Sequence, residues 1–197
     1  MLAIIDYGVG NIFSLYSSFK FIGEDVVLTN DKKIIDSCSH IILPGVGAFG
    51  DAAAKLRESG LDKVVIEQAR AGKPLLGICL GMQCMIVEYA RNVLGLADAN
   101  SREMNETTPN NVVDIMEEAK AHLNDTMRMG NFDCALIDGS KLKDIYGVNC
   151  IQERHHHRYE LNNKYKEQLE AAGLKCVGIN PDTKLVEAVE VSEHPWY

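Results

Sequence analysis

Short apolar runs alternate with longer amphipathic segments through the first half of the chain. Apolar runs of this length are typical of strands that are covered on both faces. The four runs that predict strands are residues 2–5, 25–28, 40–43 and 73–78. Amphipathic segments separate the runs, so the pattern predicts a parallel sheet with connecting helices. Between the third and fourth runs, Asp51 is predicted to cap one continuous helix that extends to about Ala71.

The second half of the chain has a different pattern. Residues 98–125 are polar apart from a short apolar patch, which predicts a long ordered loop or insertion. Further strands are expected at residues 126–137, 148–153, 175–179 and 184–191, with helices at 141–146 and 162–172. The predicted fold is α/β: a flavodoxin-like open parallel sheet with helices on both faces and some antiparallel strands in the second half. Because no internal repeat interrupts the pattern, we interpret residues 1–197 as a single domain.

Composition and charge narrow the range of functions. The chain carries 20 Lys and Arg against 28 Asp and Glu, a formal net charge of −8. Nucleic-acid binding needs a basic surface that displaces counterions, so this balance argues against nucleic acid as a partner. The apolar runs are shorter than the roughly 18 residues that span a bilayer, and the N-terminal residues lack the basic start of a signal peptide. We therefore expect a cytoplasmic protein with no membrane partner.

One of the six cysteines, Cys79, lies in the segment Gly77-Ile78-Cys79-Leu80-Gly81, between a predicted strand and a predicted helix. Small residues beside a nucleophile permit the sharp turn that exposes its side chain above a sheet. The next backbone N–H can then stabilise an oxyanion, and the start of a helix favours the thiolate. The alternative is a buried core cysteine, which is common for this residue type. The flanking glycines favour the nucleophile.

A second glycine-rich turn, Pro44-Gly45-Val46-Gly47, follows the third predicted strand. Ligands of open parallel sheets bind at the carboxyl ends of the strands. Glycines there let backbone N–H groups approach a substrate oxygen. Taken alone the segment indicates only a tight turn, but beside Cys79 it is the expected second half of an oxyanion hole.

These segments resemble the class I glutamine amidotransferases. Residues 1–83 resemble the glutaminase subunit of imidazole glycerol phosphate synthase, in segments 5–11, 43–51 and 76–83. Residues 84–197 resemble instead the glutaminase domain of CTP synthase. The matching segments there are 90–96, 98–101, 126–130, 153–155, 158–163 and 194–196. Both families share the motif at 76–83, so we expect a chimera that is joined at this motif.

The resemblance implies hydrolysis of the glutamine side-chain amide by a Cys-His-Glu triad, with ammonia passed to a synthase or cyclase subunit. Cys79 matches the nucleophile of the family. Gly45, Gly47 and Leu80 match its oxyanion-hole region. The first half of the chain points to a partner in histidine biosynthesis and the second half to the amidoligase domain in CTP biosynthesis.

Three further residues match positions that hold L-glutamine in CTP synthase-like domains: Gln83, Glu103 and Arg158. The guanidinium of Arg158 suits a planar carboxylate, which it can bind through two hydrogen bonds. The resemblance implies no metal and no organic cofactor for this half-reaction. The run His155-His156-His157 does not change that expectation, because consecutive strand residues point to alternate faces and cannot converge on one ion. We interpret it as part of a polar, partly exposed strand.

One departure from the family pattern is serious. Both families carry the triad His and Glu in a short His-Pro-Glu motif, and none of the six histidines here precedes Pro-Glu. His194 matches a His-Pro-Trp segment rather than the catalytic position. We therefore expect a domain that is truncated at its C-terminus, with a weak or absent glutaminase activity. The loss of a strand is also expected to expose a sheet edge and promote self-association.

Two rival functions remain beside the glutaminase. The first is a catalytically inactive glutamine-binding or scaffold module, which the missing His-Pro-Glu motif favours and the intact segment around Cys79 disfavours. The second is another cysteine hydrolase on the same architecture. The matches beyond residue 83 argue against that second reading.

Overall fold

The computed structural model describes residues 1–10, 12–45, 49–117 and 127–191, with residues 49 and 50 described by their backbone alone. The described residues up to Met82 belong to one compact unit, and those from Gln83 onward belong to a second. The interpretation of residues 1–197 as a single, truncated domain stays a prediction. In the described part of the chain, no helix has both the length and the apolar character to cross a membrane.

The first unit is built on a four-stranded parallel sheet with strand order β2-β1-β3-β4. Its elements are β1 (Leu2–Ile5), α1 (Ile12–Phe21), β2 (Val26–Thr29), α2 (Lys32–Ser37), β3 (His40–Leu43), α3 (Phe49–Glu58), α4 (Leu61–Arg70), β4 (Leu75–Gly77) and the first turn of α5 (Leu80–Asn92). All four predicted strands are present, and the α/β class is confirmed. In the described residues β4 pairs with β3 alone; the expected self-association through a sheet edge stays a prediction.

The core of this unit forms because apolar strand residues meet one face of α1. Ile4, Val26 and Ile42 are buried at the centre of the sheet. Helix α1 packs against them through residues spaced three or four positions apart, which places them on one side of a helix. These residues are Ile12, Leu15, Tyr16 and Phe19. Leu76 on β4 and Ile78, which precedes Cys79, pack against the same cluster.

The helices of the first unit differ from the prediction in two places. Helix α2 was not predicted. Its N-cap residue is Asp31, whose side chain accepts a hydrogen bond from the Lys33 N–H at 2.8 Å. The single helix expected after residue 51 is two helices, because Gly60 adopts a left-handed conformation with φ of 72° between α3 and α4. Asp51 lies in the first turn of α3 and does not cap it, since α3 begins at Phe49.

The second unit contains two sheets. Its elements after α5 are β5 (Ala99–Ser101), β6 (Asn110–Asp114), β7 (Arg128–Leu136), α6 (Lys141–Tyr146), β8 (Cys150–His157), β9 (Glu160–Leu161), a 3₁₀ turn (Asn163–Tyr165), α7 (Lys166–Ala171), β10 (Leu174–Ile179) and β11 (Val186–Val191). An antiparallel sheet has the order β11-β10-β7-β8, and a small mixed sheet has the order β5-β6-β9. The antiparallel strands predicted for the second half are therefore confirmed.

The prediction of a long loop at residues 98–125 is wrong for its described part. Strands β5 and β6 form there, and Val112 and Val113 are fully buried. Polar groups of this segment have hydrogen-bond partners: Thr108 Oγ1 donates to the Asp98 carbonyl at 2.6 Å, and the Asn111 carbonyl accepts from Asn162 Nδ2 at 2.9 Å. Such bonds satisfy polar groups that would otherwise keep the segment in water.

Candidate functional site

Cys79 lies in the sharp turn between β4 and α5. Its φ is 57°, and among the described non-glycine residues only Lys184 shares a positive φ. A left-handed conformation costs an ordinary residue about 1–2 kcal/mol, so the surrounding structure must hold it in place. Two backbone bonds do so: the Ile78 N–H donates to the Leu43 carbonyl at 3.2 Å, and the Gly81 N–H donates to the Ile78 carbonyl at 3.0 Å. The thiol is half-buried at the start of a helix.

Gly45 packs directly against the first turn of α5. A Cβ atom at this position would lie 2.4 Å from the Leu80 Cβ and 2.7 Å from the Gly81 nitrogen. The strand end before it is anchored, because the Tyr7 hydroxyl donates to the Pro44 carbonyl at 2.5 Å. As the first residue of α5, Leu80 has an N–H without an acceptor inside the helix. The structure thus brings together two of the three residues predicted for an oxyanion hole; Gly47 lies outside the described residues.

The residues predicted to hold glutamine lie in the second unit. Gln83 is only 5% exposed, and its Nε2 donates to the Tyr159 carbonyl at 2.9 Å. Its Oε1 is buried without a hydrogen-bond partner among the described atoms. Arg158, which is exposed, immediately precedes Tyr159 in the bend between β8 and β9. Gln83 therefore supports the bend that presents Arg158.

Glu103 belongs to the same neighbourhood. It follows β5 in a turn that is stabilised by a hydrogen bond from its own N–H to Ser101 Oγ at 3.3 Å. The pKa of the Tyr159 phenol is raised, first by burial and then by the Glu103 carboxylate, while the Arg158 guanidinium lowers it. Glu103 and Arg158 therefore shift the pKa of the same phenol in opposite directions. The structure thus places Gln83 and Arg158 beside Tyr159, which the prediction left out, and the charge of Glu103 acts on the Tyr159 phenol.

A buried cluster of charges, which the sequence did not predict, lies behind this bend. Arg128 on β7 is 1% exposed and donates two hydrogen bonds to Glu187 on β11, at 2.7 and 3.0 Å. It donates a third to Glu160 on β9 at 3.1 Å. The guanidinium also lies 4.4 Å from the centre of the Phe132 ring. Arg128, Glu160, Glu187 and the two histidines described next are called the buried charge cluster below.

The histidine run on β8 contributes to this cluster. His155 and His157 face inward, and His156 faces outward and is exposed. The alternation of faces was expected, and β8 is a partly exposed strand as expected, but His155 on its inward face is buried at 8% exposure. Burial, the Arg128 charge and the neighbouring His157 lower the pKa of His155 to about 3. Burial and Arg128 lower the pKa of His157 to about 4, so both rings are neutral at pH 7.

No metal site is evident in the described ranges. Among these residues, no group of three or more His, Cys, Asp and Glu side chains is arranged to hold a metal ion. The cysteines other than Cys79 differ in their surroundings. Burial is the main cause that raises the pKa of the Cys134 and Cys176 thiols to about 12, whereas Cys150 is exposed on β8.

Several known proteins are similar to this chain. A family model described as glutamine amidotransferase class-I matches residues 3–197. CTP synthase from Porphyromonas gingivalis is 48% identical over 191 residues, which cover 95% of this chain and 33% of that protein. CTP synthase from Bacteroides thetaiotaomicron is 61% identical over 126 residues, which cover 63% of this chain and 24% of that protein. The chain thus spans about a third or less of these curated relatives.

A solved structure shows the same architecture. The glutaminase domain of Trypanosoma brucei CTPS with bound acivicin is 27% identical and superposes with a TM-score of 0.76. The match covers 100% of this chain and 82% of that one. The flavodoxin-like fold predicted from the sequence is therefore confirmed.

Proposed function

The chain belongs to the class I glutamine amidotransferase family, and from this we propose that it is a glutaminase domain of the CTP synthase type with Cys79 as nucleophile. The observation that carries the proposal is the left-handed turn at Cys79, packed against Gly45 at the end of β3. The CTP synthase relatives, which match up to 95% of the chain, favour this type over the imidazole glycerol phosphate synthase type. A chimeric origin of residues 1–83 and a role in histidine biosynthesis stay predictions.

In the proposed reaction, the Cys79 thiolate attacks the side-chain carbonyl carbon of L-glutamine. The carbonyl oxygen becomes an oxyanion, which backbone N–H groups at Leu80 and in the Gly45–Gly47 turn stabilise. The intermediate collapses as the amide nitrogen takes a proton and leaves as ammonia, giving a thioester on Cys79. Water then hydrolyses the thioester to glutamate and restores the thiol.

Substrate recognition is assigned to the residues grouped around Tyr159. We propose that Arg158 pairs with the α-carboxylate of glutamine and that Glu103 pairs with its ammonium group, because each charge is opposite to the one it would bind. Gln83 supports the bend through the Tyr159 carbonyl, and its unpaired Oε1 is a further acceptor for the substrate. The ammonia would pass to a synthase domain, as the length of the CTP synthase relatives suggests.

A second candidate function is a glutamine-binding module without turnover, in which no histidine of residues 1–197 acts as the general base. Positioned acid–base catalysis is typically worth about 10²- to 10⁴-fold in rate. The glutaminase predicts that the purified chain releases ammonia faster than a Cys79→Ala variant, and the binding module predicts equal release with retained binding of L-glutamine. Ammonia release is measured by a coupled assay over several hours, with the variant as the control. Steady-state release that depends on Cys79 would show that a histidine within the chain already serves as the base.

A further inference from the structure

The buried charge cluster contains a row of four side chains in van der Waals reach of one another. His155 Nδ1 and His157 Nε2 are 2.8 Å apart, which is a hydrogen bond. The outer nitrogens face carboxylates: His155 Nε2 lies 3.6 Å from Glu187 Oε2, and His157 Nδ1 lies 3.4 Å from Glu160 Oε1. Both outer nitrogens are buried and have no hydrogen-bond partner among the described atoms. The row therefore runs from Glu187 through His155 and His157 to Glu160.

The four groups of the row need three protons between them. Three contacts join the four groups; the 2.8 Å contact is a hydrogen bond, and each of the two longer contacts avoids facing lone pairs only if one of its two atoms carries a proton. Two neutral imidazoles supply one proton each, and ionised carboxylates supply none. One contact is thus left with two facing lone pairs unless the row holds a third proton. The charge balance requires the same proton, because one Arg128 cation faces two carboxylates that are each 2% exposed.

We propose that Glu160 carries this proton and donates it to His157 Nδ1, and that the resulting row positions the Arg158–Tyr159 bend for glutamine. With Glu160 protonated, His157 donates from Nε2 to His155, and His155 donates from Nε2 toward Glu187. Every contact then has one donor and one acceptor, and the charge of Arg128 is balanced by Glu187 alone. The inference rests on the proposed function, since it assigns the bend a substrate.

The bend is tied to the row at both of its ends. Arg158 and Tyr159 are the two residues between His157 and Glu160, so the two side chains that share the proton are their direct chain neighbours. Within the described residues, the bend is also supported by the hydrogen bond from Gln83 to the Tyr159 carbonyl and by a backbone hydrogen bond between Tyr159 and the His157 ring. Loss of the proton places a second carboxylate charge beside Glu187, and the single Arg128 cation faces both. Repulsion then separates His157 from Glu160 and moves the residues between them.

Other charged groups around the row do not replace the proton. His156 on β8 faces outward, and the Cys134 thiol on β7 stays neutral because its pKa is raised to about 12. Asp114 on β6 pairs with Glu160 in the strand register, but its carboxylate is bound to Arg102 at 3.1 Å. Burial raises the pKa of Glu160 to about 8 against the lowering effect of Arg128, and burial also raises that of Glu187. The lowered pKa values of the two histidines agree with neutral rings.

The test compares the parent chain with Glu160→Gln, because a glutamine amide mimics a protonated carboxyl that cannot titrate. The matched control is Glu190→Gln, a glutamate that is 5% exposed on β11 and bonded to the Lys141 N–H at 3.1 Å, outside the row. L-Glutamine affinity is measured by calorimetry at pH 7.0 and pH 8.5. Because the proton is bound below a pKa of about 8 and lost above it, affinity is expected to fall as pH rises. The dissociation constant of the parent and of Glu190→Gln should rise about fourfold over this range.

The Glu160→Gln variant should bind L-glutamine at pH 7.0 within about twofold of the parent and keep that affinity at pH 8.5. An unchanged parent affinity, or the same rise in Glu160→Gln as in the parent, would overturn the proposal. A second readout is independent of glutamine: nitrogen NMR of the side chains should show both histidines neutral with the proton on Nε2 at pH 7.0. A charged ring or an Nδ1 proton overturns the assignment. If the NMR signature is the expected one but the parent chain does not bind L-glutamine, the result contradicts the proposed function and not the proton assignment.

Discussion

Replacing Arg128 with methionine is expected to remove about 3–5 kcal/mol from the free energy of unfolding. Methionine keeps much of the apolar length of arginine but loses the guanidinium, which makes three hydrogen bonds to Glu160 and Glu187. The two carboxyl side chains would stay buried at 2% exposure each, and the Glu187 charge would have no cation. A broken buried ion pair costs far more than a lost surface pair, because the remaining charge has no water to solvate it.

Urea unfolding at pH 7 measures this loss, with Arg154→Met as the matched control. Arg154 is exposed on β8, so its replacement should change the free energy of unfolding by less than about 0.5 kcal/mol. A triple variant that combines Arg128→Met with Glu160→Gln and Glu187→Gln removes the guanidinium and both carboxyl groups and should recover about half of the loss. A change below about 1 kcal/mol in Arg128→Met would mean that the cluster contributes little to the second unit.

Replacing Gly45 with alanine is expected to destabilise the first unit by at least about 3 kcal/mol and to abolish the reactivity of Cys79. The added Cβ would lie 2.4 Å from the Leu80 Cβ and 3.0 Å from the Leu80 carbonyl carbon. These are backbone and near-backbone atoms that cannot rotate away. The first turn of α5 would have to shift, and the left-handed turn at Cys79 would shift with it.

The control for this prediction is Gly23→Ala. Gly23 has a φ of 86° and no atom within 4 Å of an added Cβ, so alanine there suffers only backbone strain. That strain costs about 1–2 kcal/mol and should leave Cys79 unaffected. Chemical unfolding and the rate of Cys79 alkylation are measured on both variants. Equal losses in Gly45→Ala and Gly23→Ala would indicate that the close approach of β3 to α5 is not what holds the turn.

The sequence predicted the first sheet well because its strands are continuous apolar runs. Strands β1 and β3 match their predicted residues, and the sharp turn at Cys79 was predicted from its flanking glycines. Helix α2 was missed because six residues are too few to show a helical period. The break at Gly60 was missed because an isolated glycine is also tolerated within a helix.

The second unit was harder to predict for a different reason. Strand β6 begins with Asn110 and Asn111, whose polarity indicated a loop, although Val112 and Val113 are fully buried. Polar residues that are satisfied by distant backbone groups leave no local signal in the sequence.

The buried charge cluster shows the same limit more clearly. Its members come from four strands between residues 128 and 187. Taken alone, each of these residues would be predicted to lie on the surface. Only the register that sets Arg128 opposite His157 brings them together. The alternation of His155 and His157 on one face was predictable from strand geometry, but the burial of that face was not.

Covalent labelling by a glutamine analogue, with a reactive diazoketone in place of the side-chain amide, tests the role of Cys79 most directly. Mass spectrometry of the digested chain reports the rate of labelling at each of the six cysteines. Labelling is expected at Cys79 first, and L-glutamine should slow it whereas D-glutamine should not. Labelling that begins at the exposed Cys150, or that L-glutamine does not slow at Cys79, would contradict a glutamine-directed nucleophile at this turn.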